Sequence, residues 1–476
     1  MRQLDPTSAI MLHLEGSGHH HNLMSVYFVD PLTSTSADEL TALVEARLRN
    51  SPTYCARLQN VPAALGNPFW VRDPEFAVEN HVSTGVVSGR GTWRDACDDI
   101  TSIFDKPMDF SRPTWEVHIR HGVAPCERFP VGASIVIVKV HHVALDGLGL
   151  VQFSLRLFDT NPNTGLSPIA ADTPATHTQP AGPLRVLGKV VASSPGKAAA
   201  FARDLTKTVR LNRKLVSAVA EGAIVPRPTK SARTVLNDTT SSLHNFTGIA
   251  LPFADVARCR QLAPGATIND VALAVISGAL RKFLVENDEI PTEDLICGVP
   301  KSLHGDAVEE GINKVTGLSV ILHNTIADPV ERLAAIRTSS GHEKRRAEKF
   351  SAAEIASMVI KLPPFMLKPI VTAEMKSTQS QSSTVNLSTV ATNMPRGVKE
   401  LYFQGERVRE TYTLLPMNSG VGMKHEITSI GDTVFISVAA DRDLLPDAES
   451  YADKLRLSFA DLYSRTNADR SPVTAS

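Results

Sequence analysis

One stretch constrains the fold of this chain more than any other. Residues 134 to 140 read Ser-Ile-Val-Ile-Val-Lys-Val, a nearly unbroken β-branched run that is typical of a strand buried on both faces. The sequence His-His-Val-Ala-Leu-Asp-Gly, from His141 to Gly147, follows it directly. Residues 148 to 158 then carry apolar side chains at helical spacing. The sequence therefore predicts a buried strand, a short polar turn and an amphipathic helix, an arrangement that can hold polar groups rigidly.

Length and pattern together predict two domains. The chain has 476 residues, which is more than one ordinary hydrophobic core accommodates. Strand-like and helix-like segments mix in both halves, so we expect an α/β (α+β) fold with two layers in each domain. Among these segments, we predict helices at Ser36–Leu48 and Trp93–Phe104 and a strand at Val385–Val390. We place the first domain at residues 1–165 and the second at 235–470. The segment 166–234 between them contains a proline-rich linker and a helix with a basic face.

Composition argues against several classes of protein. The formal net charge of −1 gives no global field that would attract nucleic acid. The N-terminus lacks the apolar core of a signal peptide, and no apolar run approaches the roughly 18 residues of a membrane-spanning helix. The five cysteines are widely spaced, which excludes a zinc ribbon or a thioredoxin motif and suits a reducing compartment. We therefore expect a cytoplasmic protein whose membrane contact, if present, is peripheral.

Two short strings resemble fragments of expression tags. His19 to His21 are three histidines, too few for a purification tag. Leu401 to Gly405 read Leu-Tyr-Phe-Gln-Gly, which resembles part of a protease-cleavage sequence, but they lie in mid-chain. We treat both strings as native sequence.

The turn after the buried strand carries groups suited to proton transfer. Histidine is the side chain best matched to that task near neutral pH. Successive side chains on a strand point to opposite faces, so only one of His141 and His142 can face a given cavity. Asp146 can cross the turn to pair with a basic group or a backbone amide, and Gly147 leaves room for a close approach.

The histidines of this turn are also compatible with plainer or different roles. A single histidine near a strand end is usually structural. A zinc site needs three or four ligands, and no matching cluster accompanies the two histidines, so we expect no metal. A serine hydrolase of the nucleophile-elbow type needs Gly-x-Ser-x-Gly, which is not found. A cysteine nucleophile stays open from the sequence, although nothing ties a cysteine to a histidine.

The combined pattern resembles the His-His-x-x-x-Asp-Gly signature of the acyl-CoA-dependent acyltransferase superfamily. That superfamily includes chloramphenicol acetyltransferase, carnitine acyltransferases and peptide-synthetase condensation domains. The resemblance implies two chloramphenicol-acetyltransferase-like domains with the active-site tunnel between them. It also implies that the second histidine, His142 here, faces that tunnel.

Further segments narrow the resemblance to the bacterial wax ester synthase/diacylglycerol acyltransferase family. Matching segments occur in the family's order along nearly the whole chain, namely Leu4–Glu15, Arg112–His118, Thr267–Ala274, Val299–Leu303, Gly311–Lys314, Thr392–Gly397 and Ala440–Asp447. The sequence departs from the family at Gly422–Thr428, where a Gly-Leu-Asn-Ile-Thr type of strand is usual. In the family that strand helps to line the acceptor side of the active site. The resemblance therefore says less about which alcohol is the acceptor than about the reaction.

The resemblance implies an O-acyltransferase that moves a long-chain acyl group from acyl-CoA, its co-substrate, to an alcohol without a further cofactor. The acceptor would be diacylglycerol, giving triacylglycerol, or a fatty alcohol, giving a wax ester. His142 would be the general base, with His141 and Gly147 in support, Asp146 holding the loop and Asn269 stabilising the oxyanion. A helix N-cap is the alternative for Asn269. The remaining positions implied for substrate binding are Pro113, Trp115, Asp270 and Asn313.

Two other functions stay open at this point. One is a condensation-type enzyme that uses carrier-protein thioesters, although no carrier domain is visible. The other is a non-catalytic lipid- or partner-binding relative, although such a protein would not need both His142 and Asp146. Peripheral contact with an inner membrane or lipid droplet could involve the basic helix at 197–214 or the apolar segment at 352–371. A solvated helix face and core packing are the plain alternatives for these two segments.

Overall fold

The architecture is given by a computed structural model of the chain. It describes residues 2–468 except 16–18, 35, 52, 163–177, 239–240, 290–291, 303–314, 350–383 and 419. The predicted apolar segment 352–371 and the predicted substrate-binding residue Asn313 lie outside the described residues.

Strands and helices alternate along the described chain. The strands are β1 Arg2–Gln3, β2 Asn22–Val29, β3 Ala56–Gln59, β4 Phe69–Arg72, β5 Val82–Val86, β6 Trp115–Val123, β7 Ala133–His141, β8 Ser231–Ala232, β9 His244–Pro252, β10 Ile296–Ser302, β11 Val315–Ile321, β12 Thr384–Val385, β13 Thr389–Asn393, β14 Tyr402–Phe403, β15 Glu406–Leu414, β16 Met423–Ile430 and β17 Thr433–Asp441. The helices are α1 Pro6–Leu14, α2 Ala37–Leu48, α3 Trp93–Phe104, α4 Gly147–Leu155, α5 Pro183–Ala220, α6 Phe253–Arg260, α7 Ile268–Glu286, α8 Pro329–Lys349 and α9 Ala448–Ala468.

The first large sheet has β7 near its centre. Its strand order is β14-β15-β2-β7-β6-β5, with β5 and β6 parallel and the other pairs antiparallel. Every residue of β7 is buried, as the unbroken β-branched run predicts. On β6 buried residues alternate with less buried ones through Arg120, which is the pattern of a strand with one face on a core.

The second large sheet has the order β11-β10-β13-β16-β17-β9, with β13 parallel to both of its neighbours. Helices α6, α7, α8 and α9 pack beside it and beside one another. Their contacts enclose a second hydrophobic core, which contains Val271, Ile276 and Tyr451 among others. The predicted α/β class with two layered units is confirmed.

Two strands from the C-terminal part of the chain, β14 and β15, join the first sheet. β15 lies late in the chain, yet it pairs with β2 of the first sheet, with Thr411 opposite Tyr27 and Leu414 opposite Met24. Tyr412 and Leu414 accordingly belong to the core of the first unit. The boundaries proposed from the sequence, 1–165 and 235–470, place β14 and β15 in the second domain, although both strands lie in the first sheet. A sequence boundary cannot reveal this placement, because strand pairing depends on tertiary contacts.

Local predictions vary in how well they match the described elements. Helix α2 begins after Ser36 and helix α3 spans the predicted Trp93 to Phe104, so both are confirmed. The single strand predicted at 385–390 is wrong, because β12 and β13 are separate strands. The tag-like string at 401–405 forms β14 and the turn into β15, where Gln404 and Gly405 take positive φ values of 53° and 82°.

Candidate active site

The two motif histidines sit where β7 leaves the sheet. The backbone N–H of His141 donates to the carbonyl of Thr114 at 3.0 Å, and that of His142 donates to the carbonyl of His21 at 2.8 Å. These bonds hold the strand end from both sides, since Thr114 precedes β6 and His21 precedes β2. The position of both histidines is therefore fixed by rigid neighbours before their side chains make any contact.

His141 is fully buried and makes two defined hydrogen bonds. Its Nδ1 accepts from the backbone N–H of Val143 at 3.0 Å, so the proton lies on Nε2. Nε2 donates to Oε1 of Glu15 at 2.7 Å. Burial lowers the pKa of His141 more than the neighbouring carboxylate raises it. His141 is thus a neutral ring locked in one tautomer, which is the geometry of a supporting residue.

Glu15 ties the end of α1 to the motif. Burial alone would raise its pKa, but hydrogen bonds from His141, from the backbone N–H of His21 and from His20 lower the pKa to about 2. The bond from the His21 backbone is 2.6 Å long and that from His20 Nδ1 is 3.1 Å. Glu15 therefore stays ionised and holds the chain before β2 against the motif.

His142 is only half-buried and lies beyond the strand end. Burial lowers its pKa most strongly, while its own backbone carbonyl and Asp146 act in the opposite direction. The charges of His141 and Lys424 lower the pKa further. The neutral imidazole is consequently favoured at neutral pH, and a neutral imidazole is the form that can accept a proton.

Asp146 and Gly147 shape the turn. Asp146 is the N-cap of α4, and its Oδ1 accepts from the backbone N–H of Gly149 at 2.8 Å. A side chain at Gly147 would collide with the sulfur of Met394, which follows β13 in the second unit. Met394 is in turn bonded through its carbonyl to Thr428 of β16 at 2.8 Å. Gly147 therefore lets the second unit approach the motif closely.

Asn269 and Asp270, the two predicted site residues at the start of α7, make different contacts. Thr267 is the N-cap, not Asn269, so the N-cap alternative for Asn269 is wrong. Asp270 completes a capping box with Thr267, and its Oδ1 also accepts from Ser340 at 2.6 Å. These bonds hold the Asp270 side chain at the start of the helix, and its predicted contact with substrate remains a prediction. The Oδ1 of Asn269 has no hydrogen-bond partner among the described residues, so this amide oxygen is available to a ligand.

The predicted residues before β6 serve packing in the described structure. Trp115 is fully buried, and its indole N–H donates to the carbonyl of Tyr54 at 2.9 Å. It stacks on His81 with ring centroids 4.7 Å apart. Pro113 is also buried beside it. Their placement supports the strand next to β7, and their predicted contact with substrate remains a prediction.

Sequence reasoning missed three residues that border the motif. Glu15 and His21 belonged to segments that the sequence did mark, but no local pattern linked them to His141, which is 126 residues from Glu15. Lys424 lies on β16, in the segment Gly422–Thr428 that departs from the family pattern Gly-Leu-Asn-Ile-Thr. A charged lysine close to the usual asparagine is the sequence signal that could have drawn attention to it. Its contribution depends on contacts that only the tertiary structure displays.

Two cavities lined entirely by described residues lie away from the motif. One of about 540 Å³ is bordered by Arg47, Asp159 and Gln404. The other, of about 440 Å³, lies between the units beside Trp93 and Glu449. Neither of these two cavities is lined by His142, and the candidate site is identified by the chemistry of the motif.

Comparison with known families agrees with this geometry. Residues 4–272 match the wax ester synthase/diacylglycerol acyltransferase catalytic domain, and residues 312–463 match the C-terminal domain of the same enzymes. Fold, motif and family match together define an acyl-CoA-dependent O-acyltransferase. The chain belongs to the wax ester synthase/diacylglycerol acyltransferase family.

Individual relatives are distant but extend over nearly the full chain. A Mycobacterium tuberculosis (strain CDC 1551 / Oshkosh) protein, provisionally named a diacylglycerol O-acyltransferase, is 25% identical over 458 residues, covering 95% of this chain and 88% of its own. The solved wax ester synthase/diacylglycerol acyltransferase from Marinobacter aquaeolei VT8 is 20% identical, with a TM-score of 0.71 over 98% of this chain and 100% of its own. The starter condensation domain of rhizomide synthetase has the same general fold, with 12% identity and a TM-score of 0.56 over 100% of this chain and 96% of its own.

Proposed function

We propose that this enzyme transfers a long-chain acyl group from acyl-CoA to the hydroxyl of diacylglycerol or a long-chain alcohol, with His142 as the general base. The observation that carries the assignment is the division of labour at the end of β7. His141 is buried and bonded on both ring nitrogens, whereas His142 is half-buried beyond the strand end with a depressed pKa. The first ring has a structural role, which leaves the second as the candidate for proton transfer.

The reaction needs one proton to move twice. His142 takes the proton of the acceptor hydroxyl while its oxygen attacks the thioester carbonyl of acyl-CoA. The tetrahedral intermediate then expels the CoA thiolate, which receives the proton from the imidazolium, and the new ester remains. The chemistry needs no cofactor beyond the co-substrate. Asn269 is our candidate donor to the oxyanion through its Nδ2–H group, as the family resemblance implies. Its Oδ1 has no hydrogen-bond partner among the described residues, so no bond at that atom fixes the amide.

Peripheral binding to an anionic lipid surface is a further part of the proposal. Helix α5 exposes Leu184, Val191 and Val216 by 84%, 63% and 63%, alongside the exposed bases Arg210 and Arg213. Such a mixture suits a helix at a membrane or lipid-droplet surface. Among the described residues, no helix is both long and apolar enough to cross a bilayer. Flotation with phosphatidylglycerol vesicles and not with phosphatidylcholine vesicles is the expected result, and no flotation with either contradicts it.

The test of the reaction is release of free thiol from palmitoyl-CoA. Purified protein is given 1,2-dipalmitoylglycerol, hexadecanol or no acceptor, and the lipid product is separated and identified. We expect thiol release that depends on an acceptor and matches the ester formed mole for mole. Release without an acceptor would indicate a thioesterase, and no release with any acceptor would indicate a binding protein.

A further inference from the structure

A buried lysine lies on the strand that departs from the family pattern. Lys424 is on β16, between Val390 of β13 and Ala439 of β17, and only 7% of it is exposed. Burial of a lysine is costly unless its charge is compensated. A lysine retained at such a place therefore calls for an explanation beyond packing.

The ammonium group of Lys424 is held by neutral partners only. Its Nζ donates to the carbonyl of Pro416 at 2.5 Å and to Oδ1 of Asn418. No carboxylate of the described residues lies within ion-pair distance of it, and burial lowers its pKa to about 7. The protonated form of the amine has three donors, so two fixed bonds leave it one N–H for a further acceptor, and binding of that acceptor favours the protonated form.

His21 presents a second buried group with unused hydrogen-bonding capacity. Its backbone is fixed, since its N–H donates to Glu15 at 2.6 Å and its carbonyl accepts from His142 at 2.8 Å. Its ring is 3% exposed, and within the described chain neither ring nitrogen has a hydrogen-bond partner. Buried polar groups in folded proteins are nearly always bonded, so a ring of this kind indicates a place for a ligand or water.

The two groups converge on the catalytic histidine. The backbone bond between His21 and His142 places their residues side by side. The amine of Lys424 donates to the carbonyl of Pro416, two residues beyond Leu414. Leu414 pairs with Met24 on β2, the strand that begins directly after His21. In line with this placement, the charge of Lys424 adds to the effect of burial in lowering the pKa of His21 and of His142. Three groups from β16, from the residue before β2 and from the end of β7 thus border one region of the site.

We propose that Lys424 and His21 form a subsite that binds an oxygen atom of the acceptor close to its reacting hydroxyl. The subsite selects acceptors whose hydroxyl neighbours a carbonyl-type oxygen, such as acylglycerols or hydroxy acids, over plain fatty alcohols. The inference rests on the proposed function and names its acceptor class. A plain alcohol would leave the two desolvated donors without a partner, and sites built around such donors discriminate strongly against ligands that lack the acceptor.

The experiment compares acceptors in matched variants. Values of kcat/KM are measured by thiol release for 1,2-dioctanoylglycerol, 2-hydroxystearate and hexadecanol in the wild type, Lys424→Met and His21→Phe. His21→Phe removes no side-chain hydrogen bond of the described chain, so it keeps the test decisive if Lys424→Met fails to fold. The control is Lys454→Met, because Lys454 is equally buried at 6% but pairs with Glu286 on the far side of the second unit.

We expect the wild type to prefer at least one oxygen-bearing acceptor over hexadecanol by tenfold or more. Each site variant should reduce that preference about tenfold, and Lys454→Met should keep it. Loss of preference for dioctanoylglycerol identifies an ester carbonyl as the bound group, and loss for hydroxystearate identifies a carboxylate. An unchanged preference in folded, active variants overturns the inference alone. A wild type that releases no thiol with any acceptor overturns the proposed function and the inference with it.

Discussion

The two sides of the candidate site are built in opposite ways. The side from the first unit is centred on one short motif, and hydrogen bonds tie that motif to the rest of the unit, as in the contact of His141 with Glu15. The side from the second unit draws on segments far apart in sequence, which supply Asn269, Met394 and Lys424. There, the Oδ1 of Asn269 has no hydrogen-bond partner among the described residues and Lys424 is bonded only to neutral groups. The first side therefore fixes its supporting histidine within a network of protein hydrogen bonds, whereas the second side presents polar groups with capacity left to bind a ligand.

The largest expected effect lies on the first side, at His142. His142→Ala removes the proposed base, so turnover should fall by about 10²- to 10⁴-fold. The circular dichroism spectrum should remain that of the wild type. The check is the rate of thiol release at saturating acceptor, with His118→Ala as a histidine control away from the motif. Activity near that of the wild type would remove His142 from the mechanism.

Glu15 tests whether the bonded network on the first side supports catalysis. Glu15→Ala leaves the Nε2–H of His141 and the backbone N–H of His21 without their acceptor, which should cost about 1–3 kcal/mol of unfolding free energy. Displacement of the motif by a fraction of an ångström could lower turnover by up to about 100-fold. Urea denaturation and thiol release measure the two effects. Glu45→Ala is the control, since Glu45 pairs with Arg49 on an exposed helix face.

The same residue predicts a pH dependence. The folded-state pKa of Glu15 is lowered from 4.5 to about 2, so its ionised form stabilises the folded protein above pH 4.5. That contribution is lost as the pH falls from 4.5 through 2. The difference in unfolding free energy between the wild type and Glu15→Gln should therefore shrink over this range. A difference that stays constant down to pH 2 would show that the carboxylate charge is unimportant.

Gly147 tests the contact between the two sides. Gly147→Ala introduces a methyl group against the sulfur of Met394, and overpacking of this kind costs about 1–3 kcal/mol. Adding Met394→Ala should recover part of that loss, which a double-mutant cycle in urea would quantify. Independent, additive losses in the two single variants would mean that the side chains do not meet.

The smallest effect is expected at the start of α7, on the second side. Thr267→Ala removes the N-cap bond to the backbone N–H of Asp270, which should lower the unfolding free energy by about 1 kcal/mol. Turnover of the folded enzyme should stay close to that of the wild type, because Thr267 serves the helix and not the substrate. A large loss of turnover at unchanged stability would contradict this assignment.

Prediction from sequence was most accurate where a structural signal is local. The helix from Trp93 to Phe104 was predicted to the residue, because its amphipathic pattern is local and Thr92 directly before it is a typical N-cap residue. Strand β15 went unpredicted, and so did its place in the first sheet beside β2. Alternation of apolar and polar residues can indicate a strand, but it does not show which sheet the strand will join.

The sequence by itself determined the buried strand, the polar turn and the helix that carry His142, because each depends on residues within a few positions of one another. It also determined the family, through motifs that keep their order along the chain. Only the tertiary structure decided that Glu15 fixes His141, that Met394 requires Gly147, and that Lys424 and His21 border the catalytic histidine. Those contacts join residues more than 100 positions apart, and folding brings them together through packing that no local pattern records.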